Sequence, residues 1–264
     1  MSRQVSVRCW TVCRSSSWQS RRVAMTSVWD TSAPRAGRHF EPTHERALHN
    51  HALDACRSLP GSHRGVLVVR EMVGPIGIPD LTALVADQSA LRARLSLNVE
   101  PVLNRLDAAI VATAMVKMPR SPGTLAKALG WPSETISRRL PGLVRTGALI
   151  PVSADRYVRP APLRPIGRLY AIEAKVRDRG AAIQQVRAYS AWADSYVLIM
   201  GSLSPRSLQL LLDEVEADRG GLVIDGHWLR KPVLRSLDLA RRLWSAEHFV
   251  AAVRNSGYQP SVVP

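Results

Sequence analysis

Three polar residues in or beside apolar runs have the side-chain types that metal-assisted chemistry requires. Asp80 lies near the start of the apolar run 78–85, and Glu173 and Lys175 alternate with apolar residues in the run 168–176. Because side chains alternate across a strand, Glu173 and Lys175 share one face, and pairing with the neighbouring strand can bring Asp80 opposite them. Carboxylate oxygens suit Mg²⁺, which activates a water and neutralises phosphate charge, while an ammonium can orient that water. The trio predicts metal-assisted phosphodiester hydrolysis.

Residues around this trio resemble a nuclease superfamily. Pro79-Asp80 matches the first half of the PD-(D/E)XK motif, and Glu173-Ala174-Lys175 matches its second half. On the helix expected next, Gln185 and Tyr189 resemble the Gln-x-x-x-Tyr signature of the RecB-type branch. The resemblance implies a restriction-endonuclease-like α-β-β-β-α-β core and an active site that uses Mg²⁺ or Mn²⁺.

The same resemblance implies roles for further residues. The peptide oxygen of Ala174 would add a metal ligand, and an acid from the first helix would assist. Glu45 is the positional candidate for that acid, and Glu71, just past the first expected strand, is its rival. Gln185 and Tyr189 lie one helical turn apart, so they would share a face and touch the DNA backbone or the metal shell.

Periodicity along the chain predicts a mixed α/β scaffold interrupted by a helical block. We expect helices at 43–59, 179–193 and 236–254 and a further one opening with Ser204-Pro205. Strands are expected at 66–69, 78–85, 168–176, 195–200 and 222–225. The predicted organisation is a basic, disordered extension at 1–40, the two halves of a nuclease-like core at 41–88 and 164–258, and an inserted domain at 89–163.

The inserted block resembles the helix-turn-helix of winged-helix regulators. Helices are expected at 103–117, at 122–129 and from Ser133, followed by a hairpin whose turn is Ala154-Asp155. Gly130 permits the tight turn, Ser133 can cap the next helix, and Pro141 should kink or shorten it. Side chains near the start of that helix and on the wing would contact DNA: Thr135, Ser137, Arg138, Arg139, Arg156 and Arg159.

Charge points to the same class of partner. Lys and Arg number 36 against 21 Asp and Glu, a formal net charge of +15, and residues 120–160 hold seven basic and two acidic residues. This balance favours a protein with a polyanionic partner, nucleic acid being the first candidate, over an ordinary neutral metabolic enzyme. Three cysteines are too few for a disulfide scaffold and indicate reduced thiols, hence a cytoplasmic protein. No apolar run has the length of a membrane-spanning helix.

Two alternatives stay open beside the metal-dependent nuclease. In one, the protein is a non-enzymatic winged-helix regulator whose outer α/β domain serves dimerisation or ligand sensing. In the other, a nuclease-like fold without catalysis recognises DNA ends or structures. Whether two copies form a homodimer, and whether translation starts at Met25, also stay open.

Overall fold

A seven-stranded mixed β-sheet forms the centre of the computed structural model, which describes residues 26–29, 43–86, 88–176 and 178–256, with side chains from residue 48 onward. The sheet order is β1-β2-β3-β6-β7-β8-β9, and β4 and β5 form a separate hairpin. In chain order the strands are β1 (Thr26–Trp29), β2 (Val66–Arg70), β3 (Leu81–Val85), β4 (Ile150–Ser153), β5 (Arg156–Val158), β6 (Arg168–Lys175), β7 (Ser195–Met200), β8 (Gly221–Ile224) and β9 (His227–Arg230).

Strand directions in the sheet are mixed. β2 and β3 are antiparallel neighbours, and β6 pairs antiparallel with β3 although some eighty residues separate them in sequence. β6, β7 and β8 run parallel to one another, as expected where a helix connects each pair. The three central strands are almost wholly buried, which suits their apolar and β-branched composition. The predicted mixed α/β class is confirmed.

Helices cover both faces of the sheet. In chain order they are α1 (Thr43–Arg57), α2 (Gln88–Leu95), α3 (Arg105–Thr113), α4 (Pro122–Leu129), α5 (Ser133–Arg145), α6 (Arg179–Tyr189), α7 (Pro205–Ala217) and α8 (Leu239–Asn255). On one face α1 packs Leu48, Ala52 and Cys56 against residues of β2, β3 and β6. On the other face α6, α7 and α8 form a second core, so the sheet lies between two apolar layers.

The block between β3 and β6 has its own apolar core, to which α3, α4 and α5 contribute and against which Tyr157 of β5 packs. Ser121 caps α4 by accepting from Thr124 N, and Gly130 ends that helix in the left-handed conformation with φ 69°. Arg120 forms an isolated bridge to Tyr157 in β5. Within this block the turn at Ala154-Asp155 lies where the sequence predicts it.

α8 joins the block to the sheet. Leu243 packs in the core of the block, whereas Phe249 and Val250, one to two turns later, pack in the sheet's second core. Between them the fully buried Glu247 pairs with the equally buried Arg94 of α2, with Nη2 to Oε2 at 2.5 Å and Nε to Oε1 at 2.8 Å. The helical block is therefore packed against the sheet domain through the last helix rather than attached only by its two chain connections.

The structure departs from the sequence predictions at several places. The strand Thr26–Trp29 lies within the extension expected to be disordered, and the rest of residues 1–40 lies outside the described residues. α2 and β9 were not predicted, since each is short and without clear periodicity. Pro132, without a side-chain cap, precedes α5 in place of the expected Ser133 cap, and α5 continues through Pro141. No helix in the described ranges has the length and apolarity needed to cross a membrane.

Candidate active site

Asp80 ends the 71–80 loop and points its carboxylate at the neighbouring strand. It is 9% exposed, and its Oδ2 accepts a hydrogen bond of 2.8 Å from the backbone N–H of Ala174 in β6. The antiparallel register pairs Leu81 with Ile172, which puts Asp80 opposite Glu173. The strand pairing that the sequence analysis required is therefore present.

Glu173 and Lys175 project from β6 on the face that carries α6. Glu173 is completely buried, and its Oε1 lies 3.1 Å from Lys175 Nζ. Its other oxygen, Oε2, accepts a hydrogen bond of 3.0 Å from the hydroxyl of Tyr189. The structure thus brings Asp80, Glu173, Lys175 and Tyr189 into one cluster built from two strands and a helix.

Electrostatics make Glu173 the unusual member of this cluster. Burial raises its pKa to about 7, and the nearby charge of Asp80 adds to the rise. The ammonium of Lys175 and the hydroxyl of Tyr189 oppose the shift without cancelling it. The two carboxylates and the ammonium therefore influence one another's charge, as is common at functional sites.

The loop that carries Asp80 is pressed onto α6 and the turn after it. A Cβ on Gly77, which has φ 74°, would lie 2.8 Å from the ring of Tyr189, and a Cβ on Gly74 would lie 2.8 Å from Trp192. Only glycine permits these close approaches. The loop closes where the N–H of Glu71, itself at φ 45°, donates to the Asp80 carbonyl at 3.0 Å.

The sequence analysis assigned supporting roles to four further residues, Glu71, Gln185, Glu45 and Ala174. Glu71 is half-buried and joined to Asp80 through the backbone, so it stays a candidate auxiliary acid. Gln185 is half-buried on α6, one turn before Tyr189. Glu45 lies in α1, but its side chain falls outside the described part of the structure. Ala174 lies between Glu173 and Lys175, and its N–H holds Asp80.

The donor set at this cluster fits a partly hydrated hard cation. Mg²⁺ is commonly bound through one or two carboxylates, with waters and substrate phosphates completing its shell. Asp80 and Glu173 supply two carboxylates, and burial first, with the charge of Asp80 second, raises the pKa of Glu173. Within the described ranges no group of three or more His, Cys, Asp and Glu side chains is arranged to hold a metal. Mg²⁺ or Mn²⁺ at these two carboxylates therefore stays a prediction.

Four of the six side chains predicted to contact DNA make few or no contacts with the rest of the described protein. Ser137, Arg138 and Arg156 are exposed, and Thr135 is half-buried. Arg138 makes only a 3.4 Å ion pair with Glu134 on the same exposed helix face, an interaction of little strength. These four side chains stay predictions as DNA contacts.

The other two, Arg139 and Arg159, are half-buried and also have partners within the protein, and their predicted DNA contacts stay predictions as well. Arg139 forms a bidentate pair with Asp107 of α3, at 2.7 and 2.6 Å. Arg159 donates to the carbonyl oxygens of Ala114 and Leu163, each at 2.9 Å. Both guanidinium groups donate to buried or half-buried acceptors, and only the tertiary structure reveals these partners.

Sequence reasoning missed the residues that hold the 71–80 loop. Trp192 donates from Nε1 to the carbonyl of Ile76 at 3.0 Å. His248 places Nδ1 3.4 Å from the Val73 carbonyl and Nε2 3.3 Å from the Leu103 carbonyl. Trp192 lies three residues after Tyr189, so its position in the sequence could have placed it near the site. Nothing local in the sequence connects His248 with residues 73 or 103.

Comparisons of this chain with protein-family models, with curated proteins and with solved structures found no match.

Proposed function

We propose that the protein is a divalent-metal-dependent DNA nuclease with a restriction-endonuclease-like core and a winged-helix DNA-binding block. One observation carries the proposal. Glu173 and Lys175 follow Asp80 by 93 and 95 residues in the sequence, yet the three side chains form one cluster on a single face of the sheet. Each residue type suits phosphodiester hydrolysis, and clusters with a strongly shifted pKa occur preferentially at functional sites.

The order of elements supports the nuclease-like core. The sequence α1, β2, β3, β6, α6, β7 follows the α-β-β-β-α-β order that the PD-(D/E)XK resemblance implies. Asp80 immediately precedes the second of these strands, and Glu173 and Lys175 lie on the third. Tyr189, the last residue of the motif, contacts Glu173 directly. The motif residues and the topology therefore support the same fold.

Each member of the cluster has a defined part in the proposed reaction. Bound Mg²⁺ or Mn²⁺ would supply a Lewis acid and lower the pKa of a bound water. Asp80, oriented by the N–H of Ala174, and Glu173, oriented by Tyr189, would hold the cation. Lys175, 22% exposed, would donate to the attacking water or to the developing charge on the phosphate.

The helical block would hold the DNA. Its three helices, the Arg120–Tyr157 bridge and the exposed β4–β5 hairpin are in the order of a winged helix. Arg138 on α5 and Arg156 on the hairpin are exposed and can neutralise phosphates. Because α8 and the Arg94–Glu247 pair pack the block against the sheet, DNA held by the block would keep a fixed position relative to the cluster.

The test is cleavage of labelled DNA with Mg²⁺, Mn²⁺ or EDTA. Asp80→Asn, Glu173→Gln and Lys175→Met preserve shape and remove charge, and each should reduce the rate by at least about a hundredfold. Glu214→Gln and Lys231→Met, which alter charges on α7 and beyond β9, are matched controls and should leave the rate unchanged. Activity that survives in all three site variants would overturn the proposal.

A nuclease-like protein without catalysis is the second candidate, and one observation favours it. Both carboxylates already have protein partners, and both are buried, Asp80 to 9% and Glu173 to 0% exposure. If this second candidate is correct, the wild type binds DNA ends or branches but cleaves no DNA with any divalent metal ion. Binding by the three site variants would then equal that of the wild type.

A further inference from the structure

We infer that Val73 and Ile76 form an apolar wedge that contacts an unpaired base of DNA, which makes DNA with unpaired nucleotides the preferred substrate class. The inference rests on the proposed nuclease function and adds to it. Both residues lie on the 71–80 loop, whose last residue is Asp80. The wedge therefore lies four to seven residues before a carboxylate of the cluster.

The wedge residues are on the outer side of a loop whose inner side is fixed. Gly74 and Gly77 face Trp192 and Tyr189 so closely that a Cβ would lie 2.8 Å from either ring. Their lack of side chains lets the loop lie flat on the two aromatic rings. With the glycines turned inward, Val73 is 58% exposed and Ile76 is 44% exposed.

Hydrogen bonds hold the same two residues in place. The Ile76 carbonyl accepts from Trp192 Nε1 at 3.0 Å, and the Val73 carbonyl lies 3.4 Å from His248 Nδ1. The N–H of Gly74 donates to the Gly77 carbonyl at 3.0 Å, which closes the tip of the loop. A side chain whose backbone is fixed loses little further freedom on binding, so it is suited to recognition.

The chemistry of this surface differs from that expected for phosphate binding. Residues 72–79 contain no charge, although the whole chain has a formal net charge of +15. Single exposed apolar residues are ordinary, but here two lie within four positions on a fixed loop that leads into the carboxylate cluster. Aliphatic side chains can cover a base face or enter between base steps.

Base pairing decides which DNA such a wedge prefers. In a duplex the wedge must unstack a base step, which costs free energy. In a bulge, flap or single strand the base is already unpaired, so this cost is small. Apolar contact beside the carboxylates therefore favours unpaired nucleotides over a continuous duplex.

The experiment compares Val73→Thr/Ile76→Thr with the control Leu229→Thr/Val233→Thr, whose residues are 46% and 45% exposed on and after β9. Substrates are one duplex with and without a three-nucleotide bulge, cleaved in Mg²⁺. Wild type and control should cleave the bulged duplex about tenfold faster, since about 1.4 kcal/mol corresponds to a factor of ten. The wedge variant should lose this preference and cleave the two substrates at equal rates. Equal preference in wedge variant and wild type would overturn the wedge.

A second measurement separates failure of the wedge from failure of the nuclease proposal. Asp80→Asn protein is mixed, without metal, with the bulged duplex carrying 2-aminopurine in the bulge. The wedge should change the fluorescence of that base, and adding Val73→Thr/Ile76→Thr should abolish the change while leaving DNA binding. Absence of cleavage by the wild type in Mg²⁺, together with this fluorescence change in the Asp80→Asn protein, would refute the nuclease and keep the wedge. Cleavage by the wild type without the fluorescence change would refute the wedge alone.

Discussion

The hydroxyl of Tyr189 donates a 3.0 Å hydrogen bond to Oε2 of Glu173, a carboxyl with no solvent exposure. This contact stabilises the ionised form of a group whose burial and proximity to Asp80 favour protonation. In the proposed mechanism only ionised Glu173 can help to hold a cation. The hydroxyl therefore affects both the geometry of the carboxylate and its charge near neutral pH.

Removal of this hydroxyl should shift the pH dependence of cleavage. In wild type the rate should rise with pH through about 7, where Glu173 loses its proton. Tyr189→Phe removes a bond that favours the carboxylate, so the pKa rises further and the midpoint should move up by about one pH unit. The measurement is the cleavage rate from pH 6 to pH 9 at one fixed Mg²⁺ concentration well below saturation, because saturating metal would displace the proton from Glu173 at any pH.

Tyr170→Phe is the control for that variant. Tyr170 is also buried, and its hydroxyl bonds the Pro60 carbonyl at 3.1 Å on the other sheet face. Its loss should alter stability but not the pH midpoint. The interpretation of Tyr189 fails if both variants leave the midpoint of the profile where it lies in wild type.

Glu173 should destabilise the metal-free fold at neutral and alkaline pH. Its pKa rises from an ordinary 4.5 to about 7 on folding, so the folded state binds more protons between these values and stability falls as pH rises through that window. The loss is on the order of 3 kcal/mol above the window. Glu173→Gln should therefore be more stable than wild type at pH 8, with little difference at pH 4.5.

Urea unfolding without metal at these two pH values measures the effect. Glu214→Gln is the control, because Glu214 is 34% exposed in its ion pair with Arg179 and lacks the burial that penalises charge. If the stability difference between Glu173→Gln and wild type is the same at both pH values, folding does not raise the pKa of Glu173.

The central sheet could be predicted from sequence because its strands satisfy strong local rules. β7 coincides with the predicted 195–200, and β6 differs from the prediction by one residue. Alternation alone placed Glu173 and Lys175 on one face, and only the β3–β6 register was needed to add Asp80. The expected start of β3 at residue 78 was too early, since Pro79 lacks the N–H that a strand position would use.

Long-range partners could not be predicted in the same way. Arg139 and Arg159 have the same local signature as exposed arginines, yet their acceptors come from α3 and from residues 114 and 163. The Arg94–Glu247 pair joins residues 153 apart. A guanidinium satisfies whichever acceptor the tertiary fold places beside it, and no periodicity encodes that choice.

Arginines of the helical block should separate into two classes in DNA binding. Arg138→Gln and Arg156→Gln should each weaken binding and reduce the slope of log affinity against log salt by about one. Arg139→Gln should leave the slope nearly unchanged and lower the thermal stability of the block, because it breaks the bidentate pair with Asp107. Fluorescence anisotropy at four salt concentrations measures the slopes, and an equal slope change in all three variants would contradict this division.

The buried Arg94–Glu247 pair should be a major determinant of stability. Arg94→Met leaves the carboxylate of Glu247 buried without its guanidinium partner. Among the described residues, the Val102 N–H at 3.0 Å then stays as its hydrogen-bond donor. Breaking one side of such a pair costs about 3–5 kcal/mol, whereas replacing both sides costs much less. Urea unfolding of Arg94→Met, Glu247→Leu and the double variant forms the cycle. A single-variant loss below about 1 kcal/mol would show that the pair is not needed.

Binding of Mn²⁺ in the absence of DNA tests the central claim most directly, because it asks whether Asp80 and Glu173 hold a cation. Isothermal titration at pH 8, where Glu173 is ionised, should detect one site in wild type and in Glu214→Gln. Asp80→Asn and Glu173→Gln should each abolish that site. Equal Mn²⁺ binding by wild type and both site variants, or no binding by any of them, would contradict the account.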